Sequence, residues 1–334
     1  MMSEGIINLN KPRDMTSHDC VQAIRKITGI KRIGHTGTLD PQADGVLPIC
    51  IGGAVRIMEY LDLDFKTYRA EMELGLVTET QDIWGSVVSD GRDKINDLSA
   101  ESIGSALESF NGLIEQTPPK YSALKYAGKR LYEYARAGVE IEIKKRNVFI
   151  KDISVNDVDL TGHKVSFNVT CSKGTYVRAI CNDVGAMLGC GGAMSGLTRV
   201  ASGAFSLEDA VTLSGLSDMG KDGIKDVIKP VDFPLVHFGR AIINDEGTAE
   251  RFTNGRPVAF ADAVVEDAPE YSLKEPYFAI REEYKRAYNM YTVQSGQSVF
   301  LGVAFLDGEN REFAADKVFF KGEISEAVQF AGRN

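Results

Sequence analysis

Apolar and polar residues alternate from Thr67 to Leu74. Tyr68, Ala70, Met72 and Leu74 fall on one face, which predicts a half-buried strand. Val165, Phe167, Val169 and Cys171 repeat the pattern with Ser166, Asn168 and Thr170 opposite, and predict a second strand. After Thr16-Ser17 the period lengthens to three and four: Cys20, Ile24 and Ile27 share a face while Arg25 and Lys26 face away. The two hydroxyls suit a helix N-terminus. A second helical stripe, Val177, Cys181, Val184 and Leu188, follows the break at Gly174. Strands and helices mix without a regular βαβ cadence. The pattern therefore predicts an α+β domain, with a mixed, largely antiparallel sheet flanked by helices.

Two stretches interrupt this periodicity. The first half of Lys31–Leu61 is rich in Gly, Thr, Asp and Pro and predicts an ordered loop; its second half is apolar and returns to the core. Lys229-Pro230-Val231-Asp232-Phe233-Pro234 predicts a domain boundary. Beyond it, Asn254-Gly255 and Asp307-Gly308 are turn signals, and Val299, Leu301, Val303 and Phe305 alternate. The tail reads as a small β-rich, barrel-like module.

A length of 334 residues suits two domains at about 100–200 residues each. With 43% hydrophobic and 25% charged residues the chain has ordinary globular usage, which excludes a disordered class. No apolar run approaches the roughly 20 residues that span a bilayer, and the N-terminus lacks the basic-then-apolar order of a secretory signal. Cys20, Cys50, Cys171, Cys181 and Cys190 are scattered and form no CxxC pair, and the four histidines lie far apart. A cytoplasmic protein with buried thiols and no metal is the expectation. The net charge of −9 is unevenly spread. Lys120–Lys151 holds nine basic residues against three acidic, whereas the chain from Asp232 onward holds eleven against seventeen. A local basic face can hold a polyanion on an acidic protein, because distant charges are screened beyond about 8–10 Å. A solvated surface element is the alternative.

The most unusual local sequence is Gly34-His35-Thr36-Gly37-Thr38-Leu39-Asp40-Pro41-Gln42-Ala43-Asp44-Gly45. Pro41 stiffens the chain and biases Asp40 toward an extended backbone. A carboxylate on so constrained a loop is a candidate nucleophile or base, or else a structural turn in which Asp40 or Asp44 caps a helix. Arg178 falls in the first turns of the second predicted helix, where a cation opposes the macrodipole. It therefore needs an anionic partner, either a carboxylate of the chain or a substrate phosphate. Tyr68 and Tyr176, taken alone, are core or rim aromatics. Gly189-Cys190-Gly191-Gly192 follows a helix and lacks the Walker lysine, which argues against a nucleotide loop.

Taken together, five separated blocks resemble the tRNA pseudouridine-55 synthase family, the TruB type. In order they are Asn10-Lys11-Pro12 with Thr16-Ser17; Gly34 to Pro41; Lys66-Thr67-Tyr68 followed by Thr78, Thr80, Asp82 and Gly85; Gln116 to Ala123; and Gly174-Thr175-Tyr176-Val177-Arg178. The resemblance implies a pseudouridine synthase fold over residues 1–230 and a PUA-like RNA-binding domain over 240–330. Phe252-Thr253-Asn254-Gly255 and Phe300-Leu301-Gly302-Val303 carry the resemblance in the second. It implies isomerisation of uridine 55 in the tRNA T-loop, by base flipping and a covalent aspartate adduct, with no cofactor and no metal. Asp40 would be the essential aspartate, Arg178 its partner, and Tyr68 the aromatic that packs on the target base and assists proton transfer. His35 would help extrude the nucleotide and Leu197 would line the uracil pocket. Lys11 would lie near the RNA or be structural, and Lys120 and Tyr176 would lie at the substrate, with the basic segment near 120–151 on the phosphates. The implied partner is the T-arm of tRNA, with no membrane, no obligate protein partner and a monomeric state.

Overall fold

The computed structural model describes residues 4–63, 65–270 and 281–320. The first part begins with β1 (Gly5–Lys11), α1 (Ser17–Thr28), β2 (Ile33–His35) and β3 (Asp44–Ile51). A 3-10 segment, Gly52–Leu63, leads to β4 (Lys66–Leu74) and the pair β5 (Leu76–Thr78) and β6 (Val87–Asp90). Next come α2 (Ala100–Glu108), β7 (Gly112–Gln116), the short β8 (Lys125–Tyr126) and β9 (Lys129–Arg130), and α3 (Leu131–Arg136). The long β10 (Arg146–Asp159), β11 (Lys164–Cys171), α4 (Val177–Met187), β12 (Gly192–Ser202), β13 (Phe205–Ser206), α5 (Leu213–Gly223) and β14 (Ile228–Lys229) complete it. The second part holds β15 (Gly239–Ile243), α6 (Glu246–Thr253), β16 (Val258–Ala259), β17 (Ala263–Asp267), β18 (Ala287–Gln294), β19 (Gln297–Asp307) and β20 (Glu312–Val318).

The larger sheet runs β14-β1-β3-β12-β4-β11-β10-β7, with β2 and β13 attached at its middle. Its pairs are antiparallel except β12 on β3. This is the mixed, largely antiparallel sheet that the alternation predicts. Tyr68, Ala70, Met72 and Leu74 are all buried in β4. In α1, Thr16 accepts from Asp19 N and Asp19 accepts from Thr16 N, a capping box that satisfies two orphan donors at the helix start. The second sheet, β16-β20-β19-β18-β15-β17, is the β-rich tail. Asn254-Gly255 closes α6 there, with Gly255 at φ 77°. A helix end needs a left-handed residue as a hairpin does, so the signal was real and its context different.

The two sheets share an apolar cluster. Ile6, Val46, Cys50 and Ile57 of the first part pack with Phe238 and Val303 of the second. Val231, from the stretch that predicts a boundary, and Leu235 just after it are buried in the same cluster. Polar contacts reinforce the join: Arg56 Nη2 donates to Val318 O at 2.6 Å, and its guanidinium lies 4.3 Å from the Phe319 ring centre. The last residues of the 240–330 span, from 321 on, and residues 271–280 lie outside the described residues. All five cysteines are free and buried. Burial pushes the Cys50 thiol up to about 12 and the Cys171 thiol to about 11.

The loop between β2 and β3 is fastened from below. Ser17 Oγ accepts from Leu39 N at 2.9 Å and donates back to Leu39 O at 3.2 Å. Lys11 is fully buried, and its Nζ donates to Pro12 O, Met15 O and Pro41 O at 2.8, 2.6 and 3.2 Å. Asp14 N also donates to Pro41 O. The residues on either side of Asp40 are thus tied to β1 and α1. At the end of the loop Gly45 has φ 102° and faces Arg199 in the parallel β3–β12 pair, where a Cβ would strike the Arg199 backbone.

Gly45→Ala adds left-handed strain to that collision and is expected to lower stability by about 3 kcal/mol or more in urea unfolding. A loss under about 1 kcal/mol would show that β3 and β12 can part freely. Lys11→Met keeps the volume but takes the donor from Pro12 O and Met15 O, while Pro41 O keeps Asp14 N; a buried carbonyl left without a donor costs about 1–3 kcal/mol. A clear drop in the urea midpoint is expected, and an unchanged midpoint would contradict the fastening role.

Candidate active site

A cleft of about 710 Å³ opens above the centre of the larger sheet, within the 300–1,000 Å³ or so of ligand sites. The loop carrying Asp40 forms one wall, β4 and β12 the floor, and the start of α4 the opposite wall. Tyr121, Ser122, Tyr132 and Arg136 of the basic segment close a further side.

Asp40 and Arg178 meet across the cleft. Arg178 Nε lies 2.9 Å from Asp40 Oδ2. The arginine side chain is 6% exposed and the aspartate 42%, so the cation is sealed while the carboxylate stays open to the cleft. Arg178 makes three further contacts: Nη1 donates to Thr80 O at 3.0 Å and reaches Asp82 Oδ2 at 3.5 Å, and Nη2 donates to Tyr121 O at 3.2 Å. The anionic partner that the helix dipole demands is therefore a pair of carboxylates. Asp82 is itself held, accepting at Oδ1 from Thr80 Oγ1 at 2.6 Å and Trp84 N at 3.2 Å. The start of α4 is fixed by Gln116. Its Oε1 accepts from Tyr176 N at 2.7 Å and its Nε2 donates to Tyr176 O at 3.0 Å.

Tyr68 on β4 and Leu197 on β12 are both buried and both line the cleft, as does Tyr176 at the start of α4. Burial pushes the Tyr68 phenol above its ordinary value, while the Arg199 charge beside it pulls the other way. Arg199 also lines the cleft. It donates from Nε to Val46 O at 2.6 Å and from Nη2 to Gly37 O at 3.1 Å.

The remaining expected residues stand apart from this group. Lys11 lies beneath the Asp40 loop with its Nζ on carbonyls. His35 pairs in β2 with Ile49, half-buried, and its Nδ1 has no partner among the described residues. Burial, with the Arg199 charge adding, lowers its pKa. Lys120 is exposed and borders a neighbouring cleft of about 670 Å³ with Leu131 and Val139. Tyr121, next in the chain, borders both clefts.

Asp82 and Gln116 sit inside recognisable blocks, yet nothing in one sequence says what they touch. Arg199 had a signal: a lone arginine in a strand that otherwise reads as core. No cluster of His, Cys, Asp and Glu suited to a metal occurs among the described residues, and none of their helices is long and apolar enough to cross a membrane.

Residues 25–177 match the family described as TruB family pseudouridylate synthase (N terminal domain), and residues 178–236 match the tRNA pseudouridylate synthase B C-terminal domain. A relative named tRNA pseudouridine synthase B, from Alkaliphilus oremlandii, is 48% identical over 239 residues, covering 72% of this chain and 78% of its own. One of the same name from Geobacillus kaustophilus is 46% identical over 257 residues, covering 75% and 90%. Among solved structures, a chain in a crystal structure of a Cbf5-Nop10-Gar1 complex superposes with a TM-score of 0.70 at 25% identity, over 96% of this chain and 86% of that one. Sequence and architecture agree: the chain belongs to the TruB family of pseudouridylate synthases.

Proposed function

We propose that the chain isomerises uridine to pseudouridine in tRNA, at position 55 of the T-loop, with Asp40 as the nucleophile. The observation that carries this reading is the Asp40–Arg178 pair at 2.9 Å, facing Tyr68 and Leu197 in one cleft. Residues 1–230 are the catalytic part and 240–330 a PUA-like RNA-binding part. The enzyme works as a cytoplasmic monomer.

The target base is stacked in the folded RNA, so it must be flipped out at a cost of a few kcal/mol. Stacking on one aromatic face returns about 1–3 kcal/mol, and Tyr68 offers that face with Leu197 on the adjoining strand. The exposed cations of the basic segment, among them Lys125, Lys129, Arg130 and Lys144, hold phosphates and set the register of the loop. Lys120, at the neighbouring cleft, reaches the RNA, His35 in β2 ahead of the Asp40 loop helps extrude the nucleotide, and Tyr176 borders the bound nucleotide.

In the reaction the glycosidic C1′–N1 bond breaks, the uracil turns, and C1′ bonds to C5. The proton on C5 is lost and N1 gains one, so the product is an isomer. Asp40 forms a transient covalent bond to one of the separated fragments, and that bond breaks before product leaves, which regenerates the carboxylate. Arg178 positions one carboxylate oxygen of Asp40, and Asp82 and Thr80 hold Arg178 in turn.

Tritium release from tRNA labelled at uracil C5 tests the reading. Wild type is expected to release one label per tRNA. Asp40→Asn is expected to release none while binding tRNA within a few-fold of wild type, because it keeps the shape and removes the nucleophile. Release by Asp40→Asn at the wild-type rate would refute the assignment. Arg178→Lys is expected to slow single-turnover release about 100-fold or more with little change in tRNA affinity, since a displaced nucleophile costs rate before binding. A lost affinity at an unchanged rate would make Arg178 an RNA contact instead.

A further inference from the structure

Arg199 heads the fully buried side chains by volume, at 1% exposure. Two of its three nitrogens have acceptors. Nε is on Val46 O in β3 and Nη2 is on Gly37 O in the Asp40 loop, but Nη1 has no partner among the described residues and no access to solvent. An unpaired buried donor is destabilising, and more so when charged. Native proteins seldom leave one without a reason.

The neighbour that answers this need is Tyr68. The β12–β4 register sets Arg199 directly opposite Tyr68, and both line the cleft. A Cβ built on Gly37 would lie 3.6 Å from Nη1, so Nη1 stands close against the Asp40 loop. The charged and titratable groups facing the Tyr68 phenol come from several elements: Arg199 from β12, the neutral Cys171 thiol from β11 and Asp40 from the loop, with Lys66 of β4 and Arg178 of α4 on the same cleft.

We propose that Arg199 is a positioning residue for the isomerisation, donating from Nη1 to the Tyr68 phenol oxygen when substrate fills the cleft. The proposal rests on the function proposed above. A guanidinium has donors only. Once it donates to the phenol oxygen, the phenol's own hydrogen must point away from β12 and into the cleft. Arg199 thus sets the direction of the Tyr68 O–H, and its other two arms hold the Asp40 loop to β3. One side chain fixes the aromatic platform and the nucleophile loop relative to each other.

The test is a double-mutant cycle on single-turnover tritium release, with tRNA affinity measured alongside. Arg199→Lys keeps the charge and loses the fork. It is expected to slow release about 10- to 100-fold in the presence of Tyr68, with tRNA affinity nearly unchanged. In the Tyr68→Phe background the same change is expected to cost less than about twofold, because the hydroxyl it acts through is gone. An equal loss in both backgrounds would overturn the proposal and leave Arg199 as a brace for Val46 and Gly37 alone. Should Arg199→Lys lose cooperative melting, Arg199→Gln goes through the same cycle with the same two outcomes. Absence of release by wild type would refute the proposed function itself, whereas release with an additive cycle refutes only the role of Arg199.

Discussion

A single buried guanidinium organises the cleft. From its place in α4, Arg178 touches three stretches of chain distant in sequence: the loop at Asp40, the turn at Thr80 and Asp82, and the base of the basic segment at Tyr121. Removing a guanidinium from water is costly unless its hydrogens are matched and its charge is compensated. Here two carboxylates and two carbonyls do both. The cost of burial is offset only when all three stretches are in place around α4, so the geometry of the cleft is coupled to the closure of the fold.

The same logic runs beneath the Asp40 loop. Lys11 and Arg199 are buried cations whose partners are backbone carbonyls, and Ser17 grips Leu39 in both directions. Carbonyls in a loop have no ladder to satisfy them, and burial would be unfavourable without donors from elsewhere. Side chains from β1, α1 and β12 supply those donors. A loop that is irregular in backbone is therefore as constrained as a strand, and its aspartate is aimed by groups that never touch substrate.

Much of this architecture was legible in the sequence. The two-residue period of β4 and β11 and the capping hydroxyl of α1 are local signals, and the structure follows them residue by residue. The need of Arg178 for an anion followed from its place at a helix start, and matched motifs pointed to Asp40. What one sequence could not carry were contacts closed only by folding. Gln116 and Tyr176 stand 60 positions apart, and Arg199 and Val46 stand 153 apart. No pattern of spacing encodes such a pair. Lys11 shows the converse limit: a lysine beside a substrate loop reads equally as an RNA contact or a structural residue, and only its burial reveals that the chain itself is its ligand.

The five thiols have a consequence for how the molecule can be watched. Cys20, Cys171, Cys181 and Cys190 lie in the core under the cleft, and Cys50 lies in the cluster that joins the two sheets. Thiolates react and thiols do not, so burial makes the native chain nearly inert to alkylation. A cysteine labels only when its own layer opens. The chain therefore carries a native set of reporters for partial unfolding. Labelling of Cys50 ahead of the others would time the parting of the two sheets, separately from the melting of the catalytic core.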